Sequence, residues 1–160
     1  MPAASPDPHL VASLVSAAVR FISIRNRSTH EVDVYLTKKT ANNPELIQAV
    51  MQRLSHFNLL NDPQFAREWV GMRLKHGKGP LLINQELKQK GLDPDLINQC
   101  LAEIEREAWL ESATQLINQK HLPVGPNVDL KSKAKVYRYL QNRGYPSSII
   151  RSVIDDKGSD

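Results

Sequence analysis

Apolar residues recur at helical spacing along almost the whole chain, and the clearest pattern lies in residues 79–104. Pro80 follows a glycine as the first residue of a helix, where its missing N–H and fixed φ are tolerated. Ile83 and Leu87 then fall on one face of that helix, with polar residues around them. The pattern predicts a short amphipathic helix that buries one stripe of side chains.

A second helix follows directly. Gly91 is placed to end the first helix in a left-handed conformation, which costs glycine little because it has no Cβ. Asp93 then serves as N-cap and Pro94 as the first residue of the next helix. Its apolar positions are Leu96, Ile97, Cys100, Leu101 and Ile104. Two short amphipathic helices cannot cover each other's stripes completely, so a third helix upstream is expected to complete the unit.

This unit occurs three times along the chain. Leu36, Leu87 and Leu140 each precede a basic residue and a turn, at a spacing of about 50 residues, and the last helix of each copy begins with a proline: Pro44, Pro94 and Pro146. Such a period is typical of arrays in which each helical unit covers its neighbour's apolar face. We therefore predict an all-α fold, an elongated tandem array of three three-helix repeats at residues 10–57, 58–107 and 108–154, with a disordered tail at 1–9 and a frayed tail at 155–160.

The first repeat contains a conflict. Residues 32–36 alternate between apolar and polar as a strand would. Ser28 and Glu31, however, have the spacing of a capping box that begins a helix, and the repeat also requires a helix, which we therefore predict. Thr40 stands where the other copies have glycine, so this turn is expected to differ. The first helix is predicted from the helical spacing of Leu14, Ala18, Val19 and Ile22. In the fourth helix, the predicted inward residues are Phe65, Ala66, Trp69, Val70 and Met72.

Several segments of the chain match the motifs of a known family. The most specific is Gly77-x-Gly79-Pro80-x-x-Ile83-x-x-Glu86-Leu87-x-x-Lys90-Gly91. The others, in the family's order, are Ala18–Phe21 with Arg25-x-Arg27-Ser28-x-x-Glu31, Leu59–Asp62 with Phe65-Ala66, and Arg143–Tyr145. Over roughly residues 12–154, the chain resembles the RecX family of regulators of the bacterial recombinase RecA.

The resemblance implies a non-enzymatic inhibitor. It would bind along the groove of the RecA–DNA filament and lower the ATPase, strand-exchange and co-protease activities. Its partners would be the RecA filament and single- or double-stranded DNA, met through the filament or bound weakly without it. A rod of repeats suits a helical groove because each unit adds contacts of a similar kind. We expect a monomer.

Composition is compatible with an anionic partner. The formal net charge is +4 and the pI about 9.3. One cysteine excludes an internal disulfide and a cysteine zinc cluster. No apolar run approaches the roughly 20 residues of a membrane helix, and the N-terminus lacks a signal pattern. These features predict a soluble cytoplasmic protein that does not enter membranes.

Basic residues are the candidate contacts for the filament or DNA. Residues 130–151 contain six Lys or Arg residues and no acid, and Lys131, Lys135 and Arg138 share a helix face by spacing. An ordinary solvated face is the simpler interpretation, and contact with phosphates or an acidic protein groove is the functional one. The full candidate set is Arg20, Arg25, Arg27, Lys38, Lys39, Arg67, Arg73, Lys75, Lys78, Lys131, Lys133, Lys135, Arg138, Arg143 and Arg151.

Catalytic patterns are weak throughout. The five histidines are scattered without metal-ligand spacing, so neither a metal site nor a cofactor is predicted. Cys100 lies on an apolar helix face and is expected to be a buried structural thiol. The ladder Glu103, Glu107 and Glu111 is expected to be a solvated acidic face. The turn 77–79 lacks the pattern of a phosphate-binding loop.

Two other functions remain open. The helix–Gly91–helix spacing is similar to a helix-turn-helix DNA reader. Its recognition helix, residues 94–106, would carry Asp95, Glu103 and Glu105, which phosphates would repel, so a transcription factor is least favoured. A general DNA-binding protein that acts without a recombinase is the stronger alternative.

Overall fold

The computed structural model describes residues 4–155, and within them the regular structure is entirely helical. This confirms the predicted all-α fold class. The helices are α1 Pro8–Ile24, α2 Thr29–Lys39, α3 Pro44–His56, α4 Asp62–Lys75, α5 Pro80–Gln89, α6 Pro94–Ala102, α7 Arg106–Gln119, α8 Leu130–Asn142 and α9 Ser147–Ile154. Within the described residues, the chain forms two compact units, one of residues 4–65 and 90–92, the other of residues 66–89 and 93–155.

The tails differ in part from the prediction. Pro8 and His9 belong to α1, because Asp7 caps that helix by accepting a hydrogen bond from the His9 N–H at 2.9 Å. Asp155 follows α9 as its C-cap. The rest of the predicted tails, residues 1–3 and 156–160, lies outside the described part of the chain. The repeat boundaries at 57/58 and 107/108 stay predictions.

In the first unit, α1, α2 and α3 pack against one another. Their shared core contains Leu14, Ala18, Val32, Leu36 and Val50, all at most 8% exposed. The capping box is present as predicted: Ser28 Oγ accepts from the Glu31 N–H, and the Glu31 carboxylate accepts from the Ser28 N–H. The helix cap and the burial of Val32 and Leu36, which lie one turn apart, therefore outweigh the strand-like pattern of residues 32–36.

The turn between α2 and α3 differs from the glycine turns of the other copies, as Thr40 indicated. Gly91 and Gly144 have φ of +76° and +90°. Thr40 instead keeps φ at −101° as the C-cap, and the two residues after it take the left-handed conformation, with φ of 51° and 61°. Without a glycine at position 40, the left-handed conformation begins one residue later, at Ala41, than at the aligned Gly91 and Gly144.

In the second unit, α5 packs on α6, and α9 packs on both α7 and α8. Ile83, Leu87, Ile97 and Ile150 are fully buried, as the apolar spacing predicted. Residues 103–105 separate α6 from α7 and are not helical.

One side chain that was predicted to face inward is exposed to solvent. Met72 is 41% exposed, although its neighbour Val70 is buried. The buried stripe of α4 is narrower than the apolar face of the helix, so the prediction for Met72 is wrong.

Candidate functional site

The turn after α4 brings several cationic side chains together. α4 ends at Lys75, and Gly77 then takes a φ of +71°. The Gly79 N–H donates to the Arg143 carbonyl at 2.7 Å, and the Leu81 N–H donates to the Gly144 carbonyl at 2.9 Å. These two bonds join the α4–α5 turn to the α8–α9 turn.

The side chain of Arg143 strengthens this junction. Its Nε donates to the Gly77 carbonyl at 3.2 Å, and its Nη2 donates to the His76 carbonyl at 2.9 Å. Because both acceptors are neutral, these bonds leave the charge of the guanidinium uncompensated. No ion pair of Arg143, Lys75 or Lys78 occurs within residues 4–155.

Burial and like charge act together on Lys78. Burial lowers its pKa, and repulsion from Arg143 and Arg73 lowers it further, against a weaker opposing attraction from Glu86. The repulsion from Arg143 and Arg73 that contributes to this shift indicates that positive charge is concentrated around the turn.

A polar notch of about 210 Å³ lies beside this turn. Three elements supply its walls: the end of α4 with the turn after it, one face of α7, and the C-cap of α8. Its lining residues are Lys75, His76, Gly77, Ser112, Gln115, Leu116, Gln119 and Arg143. Lys75 and Arg143 belong to the predicted basic set, whereas the α7 residues were not predicted. Ser and Gln carry no charge pattern, and a long loop and the whole of α8 separate α7 from Arg143, so no sequence signal could have found them.

Arg73 forms its ion pair within the second unit. Its guanidinium forms a bidentate pair with Glu86, with Nε–Oε2 and Nη2–Oε1 distances of 2.9 and 2.5 Å. Trp69 Nε1 donates to the same carboxylate at 2.9 Å. Arg73 therefore orders α4 against α5 and offers little to an external partner.

Three further predicted contacts also have partners within the chain. Arg67 pairs with Glu103 at 3.1 Å. Arg25 donates to both oxygens of Glu31, and Arg27 stacks on Phe21 with its Cζ 4.0 Å from the ring centroid. Burial lowers the pKa of Arg27, and the nearby Arg25 lowers it further. These contacts have structural roles, and the sequence pattern could not separate them from free cations.

The cations of α8 are arranged differently. Lys131, Lys135 and Arg138 are exposed along one side of the helix, and Val136 and Leu140 are buried on the other. None of the three forms an ion pair with a described residue. The predicted shared face is thus present, and it carries three solvated positive charges. The remaining candidates are exposed or half-exposed: Arg20, Lys38, Lys39, Lys133 and Arg151.

Other candidate chemistry gains no support. Cys100 is 2% exposed, and burial raises the pKa of its thiol, with repulsion from Glu103 adding to the shift. The thiol is thus buried, as predicted. Residues 4–155 contain no group of three or more His, Cys, Asp or Glu side chains positioned to hold a metal ion. None of the helices in that range has the length and apolar character that crossing a membrane requires.

The fold and the surface together define the class: within residues 4–155, an all-helical protein with cationic side chains exposed along α8. Comparison with known proteins specifies it further. Residues 61–101 match the RecX second three-helix domain, and residues 107–154 match the RecX third three-helix domain. The chain belongs to the RecX family.

Individual relatives agree with this assignment. Regulatory protein RecX of Mycolicibacterium smegmatis is 32% identical over 145 residues, covering 87% of this chain and 76% of the relative. Its counterpart in Bacillus subtilis is 34% identical over 140 residues, covering 86% of this chain and 52% of the relative. The chain spans about half the length of several such relatives, including the one from Lactobacillus johnsonii, at 51%.

The fold also matches a solved structure. The crystal structure of RecX from Lactobacillus salivarius superposes with a TM-score of 0.78 at 21% identity, covering 90% of this chain and 94% of that chain. At this identity the match establishes the fold.

Proposed function

We propose that this protein regulates the RecA recombinase by binding along the groove of the RecA–DNA filament. It lowers the ATPase, strand-exchange and co-protease activities of the filament and carries out no chemistry itself. Support comes from family membership, since the relatives are named regulatory proteins. The structural observation that carries the proposal is the row of exposed cations on α8 with no carboxylate partner among the described residues.

The physical argument concerns charge. A recombinase–DNA filament presents phosphates and acidic side chains in a repeating arrangement, and a cationic helix face is attracted to both. Successive three-helix domains would contact successive subunits, so that modest contacts combine into firm binding.

The direct test is the DNA-dependent ATPase of RecA with substoichiometric amounts of the protein. Inhibition is expected. Unchanged ATPase together with tight binding to bare duplex DNA would replace the proposal by the alternative, a general DNA-binding protein. That alternative is favoured by the same α8 cations, which do not by themselves distinguish phosphate from carboxylate.

Neutralising the α8 face should weaken binding to RecA–DNA filaments about tenfold at low salt and flatten its salt dependence. The variant is Lys131→Gln, Lys135→Gln and Arg138→Gln, since glutamine keeps a good helix propensity. Cosedimentation with filaments at several salt concentrations measures the effect.

A matched control removes three exposed charges elsewhere: Arg53→Gln, Lys88→Gln and Lys120→Gln. If both variants bind filaments equally well, the α8 face is not the contact. The circular dichroism spectrum of each variant must match that of the parent protein.

A further inference from the structure

We infer that the notch between α4, α7 and the α8 C-cap binds a backbone phosphate of single-stranded DNA. The inference deepens the proposed function and rests on it, because a recombinase–DNA filament is the polymer that would present such phosphates. The notch is formed by side chains from separate elements, whereas the α8 face is a row of exposed cations on one helix.

Charge is the first argument. Lys75 and Arg143 line the notch, and Lys78 lies close enough for Arg143 to lower its pKa. None of the three pairs with a carboxylate in the described part of the chain. An anion entering the notch would therefore relieve the repulsion among them.

Rigidity is the second argument. Arg143 is held by the carbonyls of His76 and Gly77, and both flanking turns are joined through backbone hydrogen bonds. Ser112 Oγ is fixed as well, since it lies 3.1 Å from the Leu74 carbonyl and 2.8 Å from the Tyr145 hydroxyl. A ligand would meet side chains already in place and would lose less entropy in ordering them.

Donor geometry favours phosphate over carboxylate. A carboxylate is matched by the two parallel N–H groups on one edge of an arginine. Of the two edges that Arg143 could present to a carboxylate, the Nε and Nη2 edge is already directed at backbone carbonyls. The remaining donors come from separate elements, with Lys75 at the end of α4 and Gln115 and Gln119 one turn apart on α7. Separate donors around a cavity suit the several oxygens of a tetrahedral phosphate.

The experiment measures binding of the full chain to a fluorescein-labelled oligothymidylate of about 20 nucleotides, without recombinase, by fluorescence anisotropy. Lys75→Glu and Gln115→Glu each place a carboxylate at the notch while leaving the hydrogen bonds of Arg143 intact. Matched controls make the same changes at exposed positions outside it: Lys88→Glu and Gln99→Glu.

Each notch variant should weaken binding about tenfold at roughly 0.05 M salt. Lys75→Glu should also reduce the slope of log K against log salt by about 0.7, the value for one phosphate contact on a single strand. The controls should stay within about twofold of the parent protein, and unchanged melting temperatures show that folding is intact.

Equal affinities for notch and control variants would overturn the inference, as would an unsubstituted protein that does not bind the oligonucleotide measurably. Loss of filament binding with unchanged oligonucleotide binding would assign the notch to carboxylates of the recombinase instead. Failure of the proposed function appears separately, as an unaltered RecA ATPase.

Discussion

Replacing Gly144 by alanine should destabilise the protein by about 2–4 kcal/mol. The residue has φ of +90°, which alanine adopts only with strain, and its new Cβ would lie 2.6 Å from the backbone nitrogen of Leu82 and against the Leu82 Cβ. Backbone atoms cannot rotate away as a side-chain end can, so the two turns must separate. Urea denaturation followed by circular dichroism measures the loss.

Two alanine variants act as controls for this result. In Gly79→Ala the new Cβ would meet the carbonyl group of Gly144, but Gly79 does not have a positive φ. The stability that this variant loses therefore measures the close approach of the turns without the strain of a left-handed alanine. Gly71 lies inside α4, and a Cβ added there would have no neighbouring side chain within 4 Å. Gly71→Ala should therefore stabilise the protein by about 0.5–1 kcal/mol.

A Gly144→Ala protein that unfolds at the same urea concentration as the parent would contradict the close contact between the turns. The contact also positions the notch, since Arg143 precedes Gly144. The variant should consequently weaken oligonucleotide binding more than Gly71→Ala does.

Local signals were sufficient to predict the helices, except that α9 begins at Ser147 and Pro146, predicted as its first residue, is the N-cap. A capping box, an Asp–Pro start or a terminal glycine involves residues within one or two turns, so sequence spacing determines them directly. Asp93 illustrates this: its side chain accepts from the Asp95 and Leu96 N–H groups, as its position before Pro94 predicted. At Met72 the same reasoning fails, because the width of the buried stripe depends on the neighbouring helices.

The candidate site was predictable only in part. Charge spacing identified the α8 face because its members are a turn apart on one helix. It did not show that Arg73 and Arg67 are neutralised by Glu86 and Glu103, since 13 and 36 residues separate the partners. The notch depends on contacts between turns still farther apart, and its uncharged members carry no pattern.

Glu31 makes more contacts than its position in the capping box predicted. Its Oε1 accepts from Lys90 Nζ at 2.9 Å and from Arg25 Nη2 at 2.8 Å, and its Oε2 accepts from the Ser28 N–H at 2.9 Å. Ser28 is fully buried, and its Oγ donates to the Lys90 carbonyl at 2.7 Å. Glu31 therefore joins the start of α2 to the turn at 90–92 within the first unit.

Glu31→Gln should lower the free energy of unfolding by about 1–2 kcal/mol at pH 7, a figure reduced for solvent screening. Burial alone would raise the pKa of this carboxyl, but hydrogen bonds from Arg25, Lys90 and the Ser28 N–H outweigh it and lower the pKa to about 2. The folded protein thus binds the proton less readily than the unfolded chain does. The stabilisation is complete above the unfolded pKa near 4.5 and is lost as the pH falls through about 2.

The variant and parent should therefore converge in stability as the pH is lowered from 5 towards about 2, which urea denaturation at several pH values measures. Glu111→Gln, at an exposed position of α7, is the matched control and should shift stability by less than about 0.5 kcal/mol throughout. A Glu31→Gln deficit of the same size at pH 7 and at about pH 2 would mean that the loss comes from replacing an acceptor oxygen by an amide NH2 group, and not from the charge of the carboxylate. Convergence would show that the ionised carboxylate holds the turn at 90–92 against α2.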